Sequence, residues 1–114
     1  TAAASDTMAS HTWTEFTAYT VVGSAVRGTA SFGSATSTGS TPSNVTSSTA
    51  SAITYTITGS GGTVYGCFLV LGTGAVNTQG STAGTLYSEG LFGTAKATTA
   101  GDTVSVTYST TATS

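Results

Sequence analysis

The sequence predicts an all-β fold, an antiparallel two-sheet β-sandwich of seven to eight strands, jelly-roll or immunoglobulin-like in topology. Three observations predict it. Stretches such as AITYTIT at 52–58 alternate apolar residues with Thr, the period of a half-buried strand. Gly-rich turn signals recur at sandwich-like spacing, and no segment reads as a helix. The apolar run GTVYGCFLVLG at 62–72 is apolar on both alternating faces, which predicts a central strand with neighbours on each edge and layers above and below.

The elements follow in order. Residues 1–12 are small and polar and read as an extended N-terminal arm; residues 13–114 read as one sandwich domain. Thr12 to Val22 alternates loosely, with a bulge or turn between Trp13 and Phe16. A strand resumes at Ala25 to Gly33, with Val26, Ala30 and Phe32 inward and Arg27 outward. Residues 33–51 hold the single Pro and a dense Ser/Thr/Gly cluster, a long loop with room for a short edge strand at Val45. Ala52 to Thr58 points Ile53, Tyr55 and Ile57 inward; the glycines at 59–62 predict a hairpin into the 62–72 strand. A second long loop spans 73–84. Thr85 to Phe92 forms the next strand, Ala95 to Thr98 a short edge piece, and Asp102 to Tyr108 the closing strand. The final residues carry no apolar anchor.

Composition narrows the function classes. Charged residues are 5% of the chain, against about 25% in ordinary domains. Thr and Ser replace them, at about 40% of the 114 residues. Thr suits a pleated surface and solvates it without charge. Such a surface lacks the repulsion that keeps monomers apart, and so tolerates dense packing against neighbours. Arg27 and Lys96 are the only Lys or Arg, too few for the phosphate contacts that nucleic acid demands. No apolar run approaches the ~20 residues of a membrane-spanning helix. The first residues, TAAASDT, lack the basic start and apolar stretch of a secretion signal. The chain does not begin with Met, so a processed chain, or a portion of a longer one, is expected.

Candidate chemistry is sparse. Asp6, Ser10 and His11 contain the residue types of a catalytic triad, but adjacency on an arm supplies neither an oriented base nor an oxyanion hole. Glu15 and Glu89 are the acids that glycoside chemistry would use, and nothing in the sequence brings them together. Glu89, in SEGLF, is expected at a bulge facing water. One His, one Cys and four scattered acids do not make a metal site. Cys67 lies inside the apolar run and reads as a small buried hydrophobe. Trp13, Tyr19, Tyr87 and Phe92 would suit a sugar-stacking platform, with core packing the plainer role. Asn44-Val45-Thr46 matches a glycosylation sequon. No enzyme activity and no cofactor are expected.

Four stretches, SDTMASHTWTEFTAY, YGCFLVLGTG, GTLYSEGLF and AGDTVSVTY, occur in the order found in a group of small β-rich virion structural proteins of tailed bacteriophages, and the chain resembles that group over nearly its whole length. The resemblance implies a head decoration (cement) protein on the virion surface, packing as a homo-oligomer on the major capsid protein or other virion proteins, with no nucleic-acid or membrane partner. A tail or fibre component is the second implication. A carbohydrate-binding or adhesin module and a surface-filament subunit are the non-viral alternatives. The contacts are expected from the arm and the two long loops, through Asp6, His11, Trp13, Pro42, Asn44 and Asn77.

Overall fold

The fold is given by a computed structural model, described over residues 3, 5–32, 36–38, 45–49 and 51–113. Among these residues there are strands and no helix. The strands are β1 (Tyr19–Thr20), β2 (Thr36–Thr38), β3 (Val45–Thr49), β4 (Ile53–Ile57), β5 (Gly62–Leu71), β6 (Thr85–Thr98), β7 (Thr103–Val106) and β8 (Ser109–Thr113). All pairings are antiparallel: one sheet has the order β1-β4-β7, another β2-β3-β8, and β5 pairs with β6 as a two-stranded ribbon.

β4 behaves as its alternation requires. Ile53, Tyr55 and Ile57 turn inward and Thr54 and Thr56 outward. It pairs with β7 from Ile53↔Val106 to Thr56↔Thr103 and with β1 through Tyr19↔Ile57. Both edges of β4 are therefore occupied, and the expected hairpin between β4 and β5 does not form. The glycines carry the chain across instead. Gly59 and Gly61 have φ of 62° and 70°, and the Phe16 ring lies where a Gly62 side chain would stand. The chain leaves the β4 sheet there and enters the ribbon.

β5 is not central. It pairs only with β6, from Gly62↔Thr98 to Leu71↔Thr85. The ladder has irregularities between Val64 and Gly66 and between Leu69 and Val70, with most of the extra residues on β6, and along β5 the alternation lapses at Leu69, which is half-buried like its neighbours Phe68 and Val70. Val64, Phe68 and Val70 face inward, whereas Tyr65, Cys67 and Leu71 are exposed. Cys67 is thus not the buried hydrophobe expected from its setting.

Other expectations are corrected likewise. The stretch 12–22 yields only the two-residue β1, and 25–32 forms no strand, being tied by an isolated bridge between Val26 and Thr78. β6 is one 14-residue strand rather than two pieces. The tail forms β8, which pairs with all five residues of β3, so β3 lies between two neighbours and is not an edge. The N-terminal segment is turned rather than extended: Thr7 and Ser10 exchange backbone hydrogen bonds at 2.8 and 3.2 Å, and Met8 is buried.

Apolar burial is shallow. Met8 and Ile57 are the buried hydrophobic residues among those described. A cavity of 1220 Å³ lies between the β1-β4-β7 sheet and the ribbon, lined by Tyr55, Ile57 and Val104 on one side and Val64, Phe68 and Val70 on the other.

Candidate functional site

Two side-chain clusters flank this cavity, and Phe68 joins them. The first begins at Asp6. Its carboxylate accepts the Thr12 amide at 3.1 Å, the Thr12 hydroxyl at 2.9 Å and the Ala3 amide at 3.0 Å, closing the turn. Desolvation pushes the Asp6 carboxyl up, but hydrogen bonds from the Ala3 amide and from Thr12 outweigh it and hold the group below its ordinary value. The closed turn delivers His11 and Trp13 to the ribbon. The His11 ring stacks on Trp13 at 3.7 Å between centroids, and Trp13 stacks on Phe68 at 4.6 Å. The indole N–H donates to Glu89 Oε2, while Glu89 Oε1 accepts the Ala3 amide at 3.1 Å. Phe68 and Glu89 are cross-strand partners, so the ribbon itself sets one ring and one carboxylate side by side for Trp13.

The second cluster is an ion pair. Arg27 Nε donates to Glu15 Oε1 at 2.9 Å and Nη2 to Glu15 Oε2 at 2.7 Å, a bidentate fork. Arg27 is 7% exposed, contrary to its expected outward position. Nη2 also donates to the Ser81 carbonyl at 2.7 Å, and Glu15 Oε2 accepts the Gly80 amide at 2.8 Å. The Arg27 amide donates to the Asn77 carbonyl at 2.6 Å, and Gln79 Nε2 donates to the Tyr19 carbonyl at 3.0 Å. The pair thereby pins the 73–84 loop to the body of the fold. The Arg27 guanidinium lies 5.1 Å from the centre of the Phe68 ring, a cation–π contact. Its Nη1 is buried without a hydrogen-bond partner among the described residues.

Tyr19 borders the pair. Burial, with Glu15 and Tyr55 nearby, pushes its phenol up to about 12. Tyr55 meets it edge-on at 5.0 Å, and its own phenol is pushed up by burial and by Cys67.

Of the sequence-derived candidates, Asp6, His11 and Trp13 come together, and Asn77 serves the second cluster through its backbone. Pro42 and Asn44 lie outside the described residues. Glu89 faces Trp13 rather than water at a bulge, and the half-buried position follows from that bond. Glu15 and Glu89 both line the cavity, but one is gripped by Arg27 and the other by Trp13 and Ala3. His11 Nδ1 lies 2.6 Å from the Trp13 carbonyl while Asp6 bonds Thr12 and Ala3, so these neighbours in sequence are not linked as a base and its orienter. No group of three metal-ligating side chains occurs among the described residues. The arrangement latches segments of the chain to one another. Trp13 is stacked on both faces and has no ring face left for a sugar. No family model, curated protein or solved structure matches the chain.

Proposed function

We propose that this chain is a structural subunit of a tailed-phage virion, a decoration protein that packs on the major capsid protein at the head surface as an oligomer. The observation that carries the reading is the exposed apolar ribbon: Tyr65, Leu71, Tyr87 and Leu91 stand open on a surface rich in Thr, Ser and Gly. An uncharged surface with an open apolar strand pair fits a molecule completed by neighbours. The ordered motifs SDTMASHTWTEF, GTLYSEGLF and AGDTVSVTY support the same reading by resemblance. In it, the β1-β4-β7 sheet and the ribbon act as the two layers of a β-sandwich of jelly-roll or immunoglobulin type. The 73–84 loop, pinned by Glu15 and Arg27, leaves Val76 and Asn77 exposed, and in this reading they are available for shell contact.

The test is the copy number of the chain in purified particles, by quantitative mass spectrometry against the most abundant shell protein. Hundreds of copies in a simple ratio to the shell are expected. A handful of copies moves the protein to the tail or fibres, and absence from particles overturns the viral reading. Attachment without ion pairs should survive a rise in salt, since screening acts on charges; release by moderate salt alone counts against it.

A further inference from the structure

The carboxylate of Glu89 holds both ends of the N-terminal segment. Oε1 accepts the Ala3 amide at 3.1 Å, and Oε2 accepts the indole N–H of Trp13. Between these ends the segment closes on itself. Asp6 accepts from Ala3 and Thr12, Thr7 and Ser10 bond each other, and none of residues 5–13 belongs to a strand. A compact surface loop with its ends together is an Ω-loop. Met8 is its buried hydrophobic side chain, and the half-buried Trp13 lies on Phe68. A segment with so few buried apolar groups, and with hydrogen bonds of its own, opens at a lower free energy than the whole fold.

Phe68 ties this loop to the second cluster. Its ring stacks on Trp13 at 4.6 Å and lies 5.1 Å from the Arg27 guanidinium. A desolvated cation gains more from an aromatic ring than an exposed one, and Arg27 is buried with Nη1 lacking a hydrogen-bond partner among the described residues. The same guanidinium holds the Ser81 carbonyl directly and the Gly80 amide through Glu15.

We infer that the N-terminal segment is a strap that undocks as a unit when Glu89 releases it, and that its undocking loosens the 73–84 loop through Phe68. With Trp13 gone, the Phe68 ring loses one of the contacts that fix it, and a ring free to turn gives Arg27 a weaker contact. The strap and the loop then both bias one shared side chain, which is the physical requirement for coupling between them. In the assembly reading above, on which this consequence alone rests, the strap sets how firmly Val76 and Asn77 are held for shell contact; the coupling itself belongs to the chain.

The test is hydrogen exchange of the full chain in solution, read residue by residue by NMR. In the parent chain the Trp13 indole N–H should exchange through an opening with a smaller urea dependence than the Ile57 and Gly101 amides, which are bonded where β4 meets the turn before β7; a smaller dependence means less surface exposed. Glu89→Ala should then speed exchange at the Gly80 and Arg27 amides at least about tenfold relative to Ile57 and Gly101, although their acceptors are Glu15 and Asn77. In a Phe68→Leu background the same Glu89→Ala change should leave the Gly80 ratio where it was. Should Glu89→Ala misfold by circular dichroism, Glu89→Gln, with one acceptor oxygen for two donors, serves in its place, and the urea dependence of the parent needs no variant. A Trp13 indole that exchanges with the urea dependence of Ile57 overturns the strap. Gly80 and Arg27 amides that keep their rates relative to Ile57, or a Gly80 response that persists without the Phe68 ring, overturn the coupling. Neither failure touches the copy number in particles, and absence from particles leaves strap and coupling intact.

Discussion

Arg27 reaches back twelve residues to grip Glu15 through both of its forked nitrogens, at 2.9 and 2.7 Å, with both side chains largely buried. A buried pair is costly to break from one side, because the remaining charge keeps its desolvation penalty. The same two side chains hold Gly80 and Ser81, so the pair and the 73–84 loop stand or fall together. Glu15→Gln should therefore destabilise the fold by about 3–5 kcal/mol and loosen the loop. Thermal melts should show the first effect, and faster amide exchange at Gly80 the second. Replacing both partners by apolar residues, Glu15→Leu with Arg27→Met, should cost less than Glu15→Gln alone. Equal or greater loss in the double variant would show that the charge is not what matters.

Trp13 carries the other latch. Its ring fills the gap between His11 and Phe68 and its N–H satisfies Glu89. Trp13→Phe keeps most of the ring and deletes the donor, leaving a half-buried carboxylate short of a partner; a loss of about 1–3 kcal/mol follows. Trp13→Ala deletes the stack as well and should cost about 3–5 kcal/mol. Denaturant titration followed by circular dichroism measures both. A Trp13→Ala chain that kept full stability would refute the latch and return the residue to the surface role of a binding platform.

Gly66 and Gly90 lie on opposite strands of the ribbon and predict opposite outcomes. A methyl group at Gly66 would run into the carbonyl oxygen of Gly90, whereas one at Gly90 would meet open space. Gly66→Ala should therefore force β5 and β6 apart and cost upward of about 2 kcal/mol, and Gly90→Ala should stay within about 0.5 kcal/mol of the parent. Urea midpoints of the two variants make the comparison, and similar midpoints would contradict the close approach.

This close approach also marks what could be read in the sequence. β4 and β7 were legible because Ile53, Tyr55, Ile57, Val104 and Val106 alternate with Thr and Ser. The inward face of β5 was legible for the same reason. The exposure of Tyr65, Cys67 and Leu71 was not, since apolar residues on both faces look alike whether a second layer is present or missing. β2, β3 and β8 lie in Thr- and Ser-rich stretches, and their pairing rests on backbone hydrogen bonds and on the β preference of Thr, which leave no apolar pattern. Arg27, flanked by Val26 and Gly28, reads as an outward strand residue; only its partner Glu15 accounts for its burial, and no local spacing announces that pair. Glu89 was hidden likewise, because its partners Trp13 and Ala3 lie far away in the chain.

The Val21–Ser24 turn holds avoidable strain. Val21 and Ser24 exchange backbone hydrogen bonds at 2.8 and 3.0 Å, and the two residues between them have φ of 48° and 79°. This is the mirror-image turn that favours Asn-Gly, and a β-branched residue fits its first position poorly. Val22 is almost fully exposed, so its side chain contributes no packing to offset the strain. Val22→Asn should raise stability by about 1 kcal/mol, seen as a higher melting temperature. A lower melting temperature would show that the positive φ at Val22 is not a source of strain.

Alkaline pH should expose the Tyr19 pocket. Burial, with Glu15 and Tyr55 adding to it, raises the folded-state phenol to about 12, against about 10 in an unfolded chain. The folded state thus holds a proton that the unfolded state releases between these values, and stability falls as pH rises wherever the native state binds more protons. The contribution is fully present below pH ~10 and is lost as pH climbs through about 12. Tyr55, raised in the same direction, adds to the slope. The melting temperature should therefore hold steady from pH 7 to 9 and drop from pH 10 upward. Tyr19→Phe removes the ionisable group and keeps the ring against Tyr55 and Phe16, so the drop should become shallower. An unchanged alkaline slope in Tyr19→Phe would show that this phenol is not the group that titrates.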